Sequence, residues 1–514
     1  MYPMNEDMMN KVKSYLKKGD HAKQVQTEEG YKVLCFNPEV EKEFIVPKFS
    51  PKDVARLRNF LTEKGALNIT VGEKGFVSAA NRIVEGEDKT NYDAIWVRDS
   101  AWIYEGLKAQ SRKDDAKRVV LALWDYYATS HQRARMEAIH KDPASATDQM
   151  KVPHIRFDAK SPDLDDVHIE ENGKIIRQEW NHKQNDAHGL FLLALADAVV
   201  ELGVSSEEVT TPRAKALALL FRYFADVKYE SFEESGAWEE VDAVRASSVG
   251  LVANAHIKWD RILENKDKSA FSARLNEVLA SFDDTVTSSL KNLKNSHAKG
   301  LHLVTTSLAK GGESPEFDKD HILYRGADSA LLHLLTPYKL EGLTESQEDK
   351  ILELVTSLER EAGVLRYEKD SYQAMGYAWL ADGSLLHGTS EGHFAARARL
   401  FDQFGPGTEP HWFFDSMLAI SFLDMAANRP NQKDEYVSKA VRAIKRNLGQ
   451  LTGSQLGTEL MCSDASRPDA FRFPESINVV LIDGKKHFIP SYIVPLNWPI
   501  SCLSLALQKL EAVS

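Results

Sequence analysis

Cysteine is nearly absent from this chain of 514 residues: Cys35, Cys462 and Cys502 are the only three, and they lie far apart. So sparse a set excludes a disulfide framework, and a reducing compartment is expected. Neither a CxxC pair nor an HExxH stretch occurs, which removes the common zinc patterns. No apolar run approaches the length of a membrane span. The start, Met1-Tyr2-Pro3-Met4-Asn5-Glu6-Asp7 and then Lys11 to Lys18, has no apolar secretion core. A cytoplasmic protein is the expectation, with export lacking a cleavable signal left open. Positive charge is also short: 64 Lys and Arg stand against 76 Asp and Glu, a net charge of −12. An acidic surface serves neither phosphate neutralisation nor attraction to anionic lipid, so no nucleic acid and no membrane is expected as a partner. A neutral substrate is compatible with it. Exact repeats, Pro/Gly/Ser-rich linkers and low-complexity tracts are missing too, which argues against a solenoid and against a domain cut.

What the chain does have is helical periodicity. Hydrophobic residues make up 43% and charged residues 27%, as in a soluble globular protein, and the length allows a large core. Ser50-Pro51-Lys52-Asp53 carries an N-cap serine, a proline in the first turn and an acid three residues on; Val54, Leu57, Phe60 and Leu61 then follow at helical spacing. The clearest further helical patterns lie near 100–112, 115–130, 186–202, 213–227, 247–264, 271–292, 327–337, 348–361, 414–427, 434–449 and 499–511. Strand patterns are few: Tyr31 to Cys35, Phe44-Ile45-Val46 and Val479-Val480-Leu481-Ile482. The longest helix-poor stretch spans about 140 to 180, and long irregular loops in compact proteins are often functional. Many helices joined by long loops suggest an arrangement around a common axis with a site built at one end.

Trp238-Glu239-Glu240 is the most informative triplet. An aromatic plane suits the apolar face of a sugar ring. A carboxylate beside another carboxylate and an aromatic surface is pushed toward its protonated form, which suits a general acid. The plain alternative is a helix start, where acids favour the positive end of the dipole. Tyr92-Asp93-Ala94-Ile95-Trp96-Val97-Arg98-Asp99-Ser100 joins two aromatics to an adjacent donor and acceptor that fit vicinal sugar hydroxyls, or else is an ion pair and cap at a helix start. Glu179-Trp180-Asn181-His182-Lys183-Gln184-Asn185-Asp186 is a dense polar run before an apolar helix. Gly363-Val364-Leu365-Arg366-Tyr367 sets an arginine among apolar and aromatic residues. Arg325-Gly326-Ala327-Asp328-Ser329 reads as a cap for the next helix. Phe473-Pro474-Glu475-Ser476 places a carboxylate after proline, usual for a first helical turn, and Pro495-Leu496-Asn497-Trp498 follows downstream. Gly388-Thr389-Ser390-Glu391-Gly392 matches the GxSxG nucleophile pattern. That elbow needs a strand before it, and only Leu385-Leu386-His387 is available after a turn, so serine hydrolysis is set aside.

Taken in order, Tyr92, Trp96, Arg98-Asp99, Trp180 with Gln184 and Asp186, Trp238-Glu239-Glu240, Arg366-Tyr367, Glu475 and Pro495 to Trp498 resemble glycoside hydrolase family 15 across about residues 80 to 510. That family holds glucoamylases, glucodextranases and some trehalases, and is related to the regulatory α and β subunits of phosphorylase kinase. The resemblance implies an all-α fold, an (α/α)6 barrel with long loops at one end forming the active site. It implies an inverting exo-hydrolase that releases glucose from non-reducing ends of an α-glucan, with no metal or organic cofactor. By it, Glu239 is the general acid and Glu475 the general base, their carboxyls about 6.5–9.5 Å apart to admit a water. Arg98, Asp99 and Arg366 hold the terminal glucose, Tyr92 and Trp96 line that subsite, and Trp180 the next. Glu240 binds substrate, and Trp238 and Trp498 form walls.

The expected organisation is an extension with short strands over residues 1–50 and a single catalytic barrel over 51–514. Asn181-His182-Lys183-Gln184 is more basic than expected of a fungal-type member and is closer to the kinase-subunit or bacterial branch. No carboxy-terminal starch-binding domain fits after Ser514, and the residues before the first motif are too few for a large β-sandwich. Soluble maltodextrin or glycogen is therefore expected over granular starch. The alternatives are a glucan-binding regulatory protein without turnover and an enzyme acting on trehalose or an α-1,6-glucan.

Overall fold

Val97–Ala109 is buried along its whole length except for Lys108, and Asn185–Glu201 and Asn497–Ala512 are covered almost as completely. Helices buried on all sides belong at the centre of a large protein. In the computed structural model, six such elements close into a ring: Val97–Ala109, Asn185–Glu201, Ala246–Glu264, the short 3₁₀ stretch Ser329–Leu334, Asp415–Asn428 and Asn497–Ala512. Each packs on the next and the last returns to the first. Between successive inner elements the chain runs back through one principal outer helix. These are Val54–Glu63 ahead of the ring, then Lys113–Ala128, Thr211–Val227, Leu293–Lys310, Glu345–Thr356 and Lys433–Gly449. The result is an (α/α)6 barrel, and since every return is outer, the inner elements start at the same end. The structure describes residues 22–80, 92–169, 173–267, 269–314, 321, 323–374, 391–453, 470–482, 484–491 and 493–513.

The inner ring is tight. A Cβ on Gly106 would lie 2.6 Å from the Cα of Ser501, so glycine is what lets the first and last inner helices touch. One continuous apolar core joins inner and outer layers, and Val33, Val40 and Phe44 ahead of the barrel share it. Lys445 also ties that segment down, bonding Glu29 and the carbonyls of Ile45 and Pro47.

Several expected elements differ. Phe44-Ile45-Val46 is no strand: Asn37 caps a helical start by accepting from the N–H of Glu39 and Val40, and the chain continues as π-helix over Glu41–Ile45. The expected 271–292 helix stops at Leu279, because Ser281 bonds back to Val278 and Asp283 takes extended backbone. The pattern at 327–337 is only six residues of 3₁₀. Ser130–Lys141, Leu293–Lys310 and Glu391–Phe404 are helices the periodicity did not single out. The capping box at Ser50 and Asp53 and the strands Lys32–Cys35 and Ser476–Ile482 are as expected. Cys35 and Cys502 are buried free thiols, not joined in a disulfide, while Cys462 and Ser390 lie outside the described residues. Among the described residues, no helix is long and apolar enough to cross a membrane.

One antiparallel sheet sits over the barrel mouth, in the order Lys485–Pro490, Ser476–Ile482, His411–Trp412, Gly363–Val364, Glu359–Arg360. Ser476 pairs with Trp412, and Trp412 with Val364. That register brings Glu475 and Arg366, far apart in the chain, to neighbouring positions beside Trp412.

Candidate active site

The starts of the inner elements carry the polar residues. Arg98 and Asp99 open the first, and Asp186 the second. The loop with Trp238 precedes the third. Arg366-Tyr367 lies against the fourth through an isolated bridge from Tyr367 to Asp328, Trp412 precedes the fifth, and Glu475 and Trp498 flank the start of the sixth.

Arg98 is the hub. It is buried, and its Nε donates to Asp186 Oδ2 at 2.6 Å and its Nη1 to Glu239 Oε1 at 3.1 Å. Its Nη2 serves Gln184 and the carbonyl of Gly236. Trp180 donates its indole N–H to the other Glu239 oxygen at 3.0 Å. Glu239 is thus held by two donors yet remains half-buried.

The triplet is not a helix start, which removes the plain alternative for it. Residues 236–239 form a turn inside a loop closed by the bridge between Glu234 and Ala243. Gly236 has φ +66° and Glu239 φ +59°. The left-handed backbone at Glu239 is uncommon for a residue with a side chain and persists where surroundings impose it. It sends the two adjacent carboxylates apart. Glu240 is buried, accepting from Arg366 Nη2 at 2.9 Å and from the Tyr367 hydroxyl at 2.6 Å, with Arg397 and Arg325 at 3.5 and 3.7 Å. Burial opposes its charge, but Arg366, Arg397 and Arg325 outweigh that and hold it below the usual carboxylate range. Both of its oxygens are therefore engaged by the protein, and one of them holds the Arg366 guanidinium.

Arg366 is clamped on its other edge by Asp370, with bonds of 2.7 and 2.6 Å. It lies among aromatic faces, 4.8 Å from the Trp412 ring centre, 5.0 Å from Tyr372 and 5.6 Å from Trp238. Its Nη1 has no hydrogen bond to any described residue.

Glu475 does not begin a helix; it precedes the strand Ser476–Ile482. Its Oε1 accepts from the Tyr92 hydroxyl at 2.6 Å and its Oε2 from Gln373 Nε2 at 2.7 Å. Burial raises its pKa to about 7, against the pull of those two donors and of Arg366, with Glu239 adding to the rise. Asp99 is likewise raised to about 7, first by burial, with Arg98 opposing and the charges of Glu239 and Glu475 adding. Three carboxyls that sense one another, Asp99, Glu239 and Glu475, thus share one space.

Aromatic rings line it. Tyr92 packs on Trp96 at 5.4 Å, and Trp96 meets Trp180 edge-on at 6.3 Å. Arg156, paired bidentately with Asp166, covers one face of Trp180 at 4.0 Å. Trp238 donates to Asp328 at 2.8 Å and packs on Phe414. Trp498 is buried among Trp102, His333, Phe413 and Phe414, behind the Phe414 ring on which Trp238 packs. Asp328 also accepts from the N–H of Ala330, the expected cap.

Tyr92, Trp96, Arg98, Asp99, Trp180, Trp238, Glu239, Glu240, Arg366, Glu475 and Trp498 therefore lie at or behind one end of the barrel. Sequence reading missed Gln373, Asp370, Tyr372 and Trp412. The aromatic run His411-Trp412-Phe413-Phe414 could have signalled the last; the others carry no pattern of their own. Among the described residues no group of three His, Cys, Asp or Glu side chains is arranged to hold a metal.

Comparison with known proteins gives three findings. The family model described as Glycosyl hydrolases family 15 matches residues 55–433. A curated relative, the uncharacterized lipoprotein YgeQ of Escherichia coli strain K12, is 34% identical over 212 residues, which is 40% of this chain and 78% of that protein. Among solved structures, two glycosidase variants superpose with TM-scores of 0.53 and 0.50 at 14% identity, covering 90% of this chain and 99% of theirs; the second is in complex with glucose. Hormoconis resinae glucoamylase superposes with a TM-score of 0.50 at 12% identity, over 90% of this chain and 74% of that one.

Proposed function

The chain belongs to glycosyl hydrolases family 15, and from that premise we propose that it is an inverting, exo-acting α-glucan hydrolase releasing β-glucose from the non-reducing ends of maltodextrin or glycogen. The observation that carries this is the unequal dressing of two carboxylates facing one space. Glu239 is half-buried beside Arg98 and Trp180, and Glu475 is buried beneath Tyr92 and Gln373. Inversion needs one carboxyl to protonate the leaving oxygen and a second, across the ring, to take a proton from water.

In this reading Glu239 is the general acid. Arg98 and the Trp180 N–H stabilise its carboxylate once the proton has left. Glu475 is the general base, held toward the water by its two neutral donors. Arg366 Nη1, which has no partner among the described residues, meets a sugar hydroxyl, and Asp99 serves the same subsite. Trp96 and Trp238 flank the terminal glucose, while Trp180 offers the leaving sugar the face that Arg156 does not cover. A glycosidase of the same fold bound to glucose agrees with a glucose-sized first subsite. The catalytic unit is the barrel over 51–514, with residues 1–50 as an extension.

The test is incubation with maltotetraose. Glucose should appear with maltotriose, and proton NMR of the first product should give the β-anomer. α-Glucose would overturn inversion. Binding of the oligosaccharide with no glucose released would favour a regulatory glucan-binding role instead.

A further inference from the structure

We propose that Gln373 is a positioning residue for Glu475: a locked side-chain amide that keeps this carboxylate turned and ionised so that it can accept a proton. The inference rests on the reading of Glu475 as general base.

Gln373 is buried and takes left-handed backbone, φ +59°. Such a conformation in a residue with a side chain is held by its surroundings. Its amide makes contacts of opposite kind at its two ends. The nitrogen donates to Glu475 Oε2 at 2.7 Å. The oxygen accepts from Ser491 Oγ at 3.1 Å, Asn478 Nδ2 at 3.3 Å and Ser476 Oγ at 3.5 Å. Ser476 and Asn478 lie two apart on the strand that Glu475 leads into, so they share one face, and Ser491 follows the partner strand. The hairpin that carries the carboxylate thus also carries the clamp on the amide.

Rotating the amide by half a turn would set its oxygen against a carboxylate oxygen and its NH₂ against the Asn478 NH₂, a double mismatch that turning the two serine hydroxyls could not relieve. The orientation is therefore fixed by chemistry as well as by packing. Methionine or leucine would fill the space without a donor, and glutamate would place two carboxyls in contact. Asparagine is too short to keep both ends engaged.

The groups facing Glu475 are Tyr92 and Tyr372, the Arg366 guanidinium, and across the space Glu239 and Asp99. Burial drives the carboxyl toward its neutral form, and the donors from Tyr92 and Gln373 oppose it. Without the Gln373 donor the base keeps its proton to a higher pH.

The experiment is a kcat/KM profile on maltotetraose from pH 4.5 to 9 for the wild type, Gln373→Met and Ser491→Ala, with each fold checked by circular dichroism. In Gln373→Met the acid limb should move up by about one pH unit. Its deficit should be about tenfold at pH 6 and shrink toward pH 8.5, with little change in KM. Ser491→Ala, which keeps the donor but loosens the clamp, should shift the limb the same way by less, and it serves if Gln373→Met does not fold. Glu475→Gln is measured alongside. If it retains activity, the base assignment itself fails. If it is inactive while the folded variants keep the wild-type limb, losing rate equally at every pH, Gln373 is only structural and this inference is overturned.

Discussion

Replacing Arg98 with methionine separates two effects that the structure ties together. The guanidinium is 3% exposed and its partner Asp186 is fully buried. One Asp186 oxygen takes only Arg98, and the other has no hydrogen bond. Removing the arginine strands a buried charge, and breaking such a pair costs about 3–5 kcal/mol. In an Asp186→Asn background no charge is stranded, so the same replacement should cost about 1–2 kcal/mol, the scale of ordinary lost hydrogen bonds. Activity should behave differently. Glu239 loses its charged donor in both backgrounds, and a hydrogen bond to a charged group is worth about 1.5–3 kcal/mol, roughly 10- to 150-fold in kcat. The assay is urea unfolding of the four proteins of the cycle together with initial rates of glucose release. Stability should be largely rescued in the double variant and kcat should not. A single variant that loses under 1 kcal/mol, or a double variant that is no more stable than it, would refute the buried-pair reasoning.

Other outcomes follow from the same contacts. Glu239→Gln and Glu475→Gln should each lose at least about 10²–10⁴-fold in kcat, since proton transfer contributes that much, and the wild-type acid limb should fall near pH 7, where Glu475 titrates. Thermal stability should fall between about pH 6.5 and pH 8.5 in a fluorimetric melt series. Burial depresses His188 to about 3 and His256 and His333 to about 4, so below about pH 6.5 these three bind fewer protons in the folded state than in the unfolded one and offset the raised carboxyls. Burial raises Asp99 and Glu475 to about 7 and Glu234 and Glu313 to about 8, so the folded state binds more protons until those values are passed. Above about pH 6.5 only that second group still titrates among these, and stability declines; a melting temperature still climbing at pH 8.5 would contradict this. Gly300→Ala should cost about 1–3 kcal/mol by overpacking, because the new Cβ would lie 2.4 Å from the Tyr229 hydroxyl and 2.7 Å from Ala253 Cβ.

The barrel was legible because its inner helices are apolar enough to stand out and its outer helices keep one apolar stripe. Where that contrast fades, so does the reading. Ser130–Lys141 buries only Gln132, Met136 and Ile139. Leu293–Lys310 is broken up by Gly300 and by several serines and threonines, and its Gly300 is there for contact with Tyr229 rather than for flexibility. Ser329–Leu334 carries the apolar density of a helix in six residues, because it needs only to close the ring. At the site, the aromatic and charged residues were visible as clusters, and the resemblance put them in order. Gln373 was not visible: its partners are more than a hundred residues away, and a lone amide has no chemistry until a carboxylate is placed against it.

The two neighbouring glutamates show why a motif underdetermines a role. In sequence Glu239 and Glu240 are equivalent, and either reads as an acid beside a tryptophan. What separates them is one backbone torsion. With Glu239 in the left-handed region, its side chain faces the open space with Arg98 and Trp180, while Glu240 turns into a pocket of arginines. A carboxylate with several guanidiniums around it stays charged and cannot serve as a proton donor at neutral pH. One held by a single arginine and an indole N–H, and only half-buried, has room for a glycosidic oxygen. Exchanging the pair, as Glu239→Gln against Glu240→Gln, should therefore give different kinds of failure. The first should lose kcat with its fold intact. The second should leave Arg366 half-clamped and its surrounding charges unbalanced, so it should lose stability and substrate affinity as well. Equal stability in both variants would mean that the turn does not divide the roles as its geometry indicates.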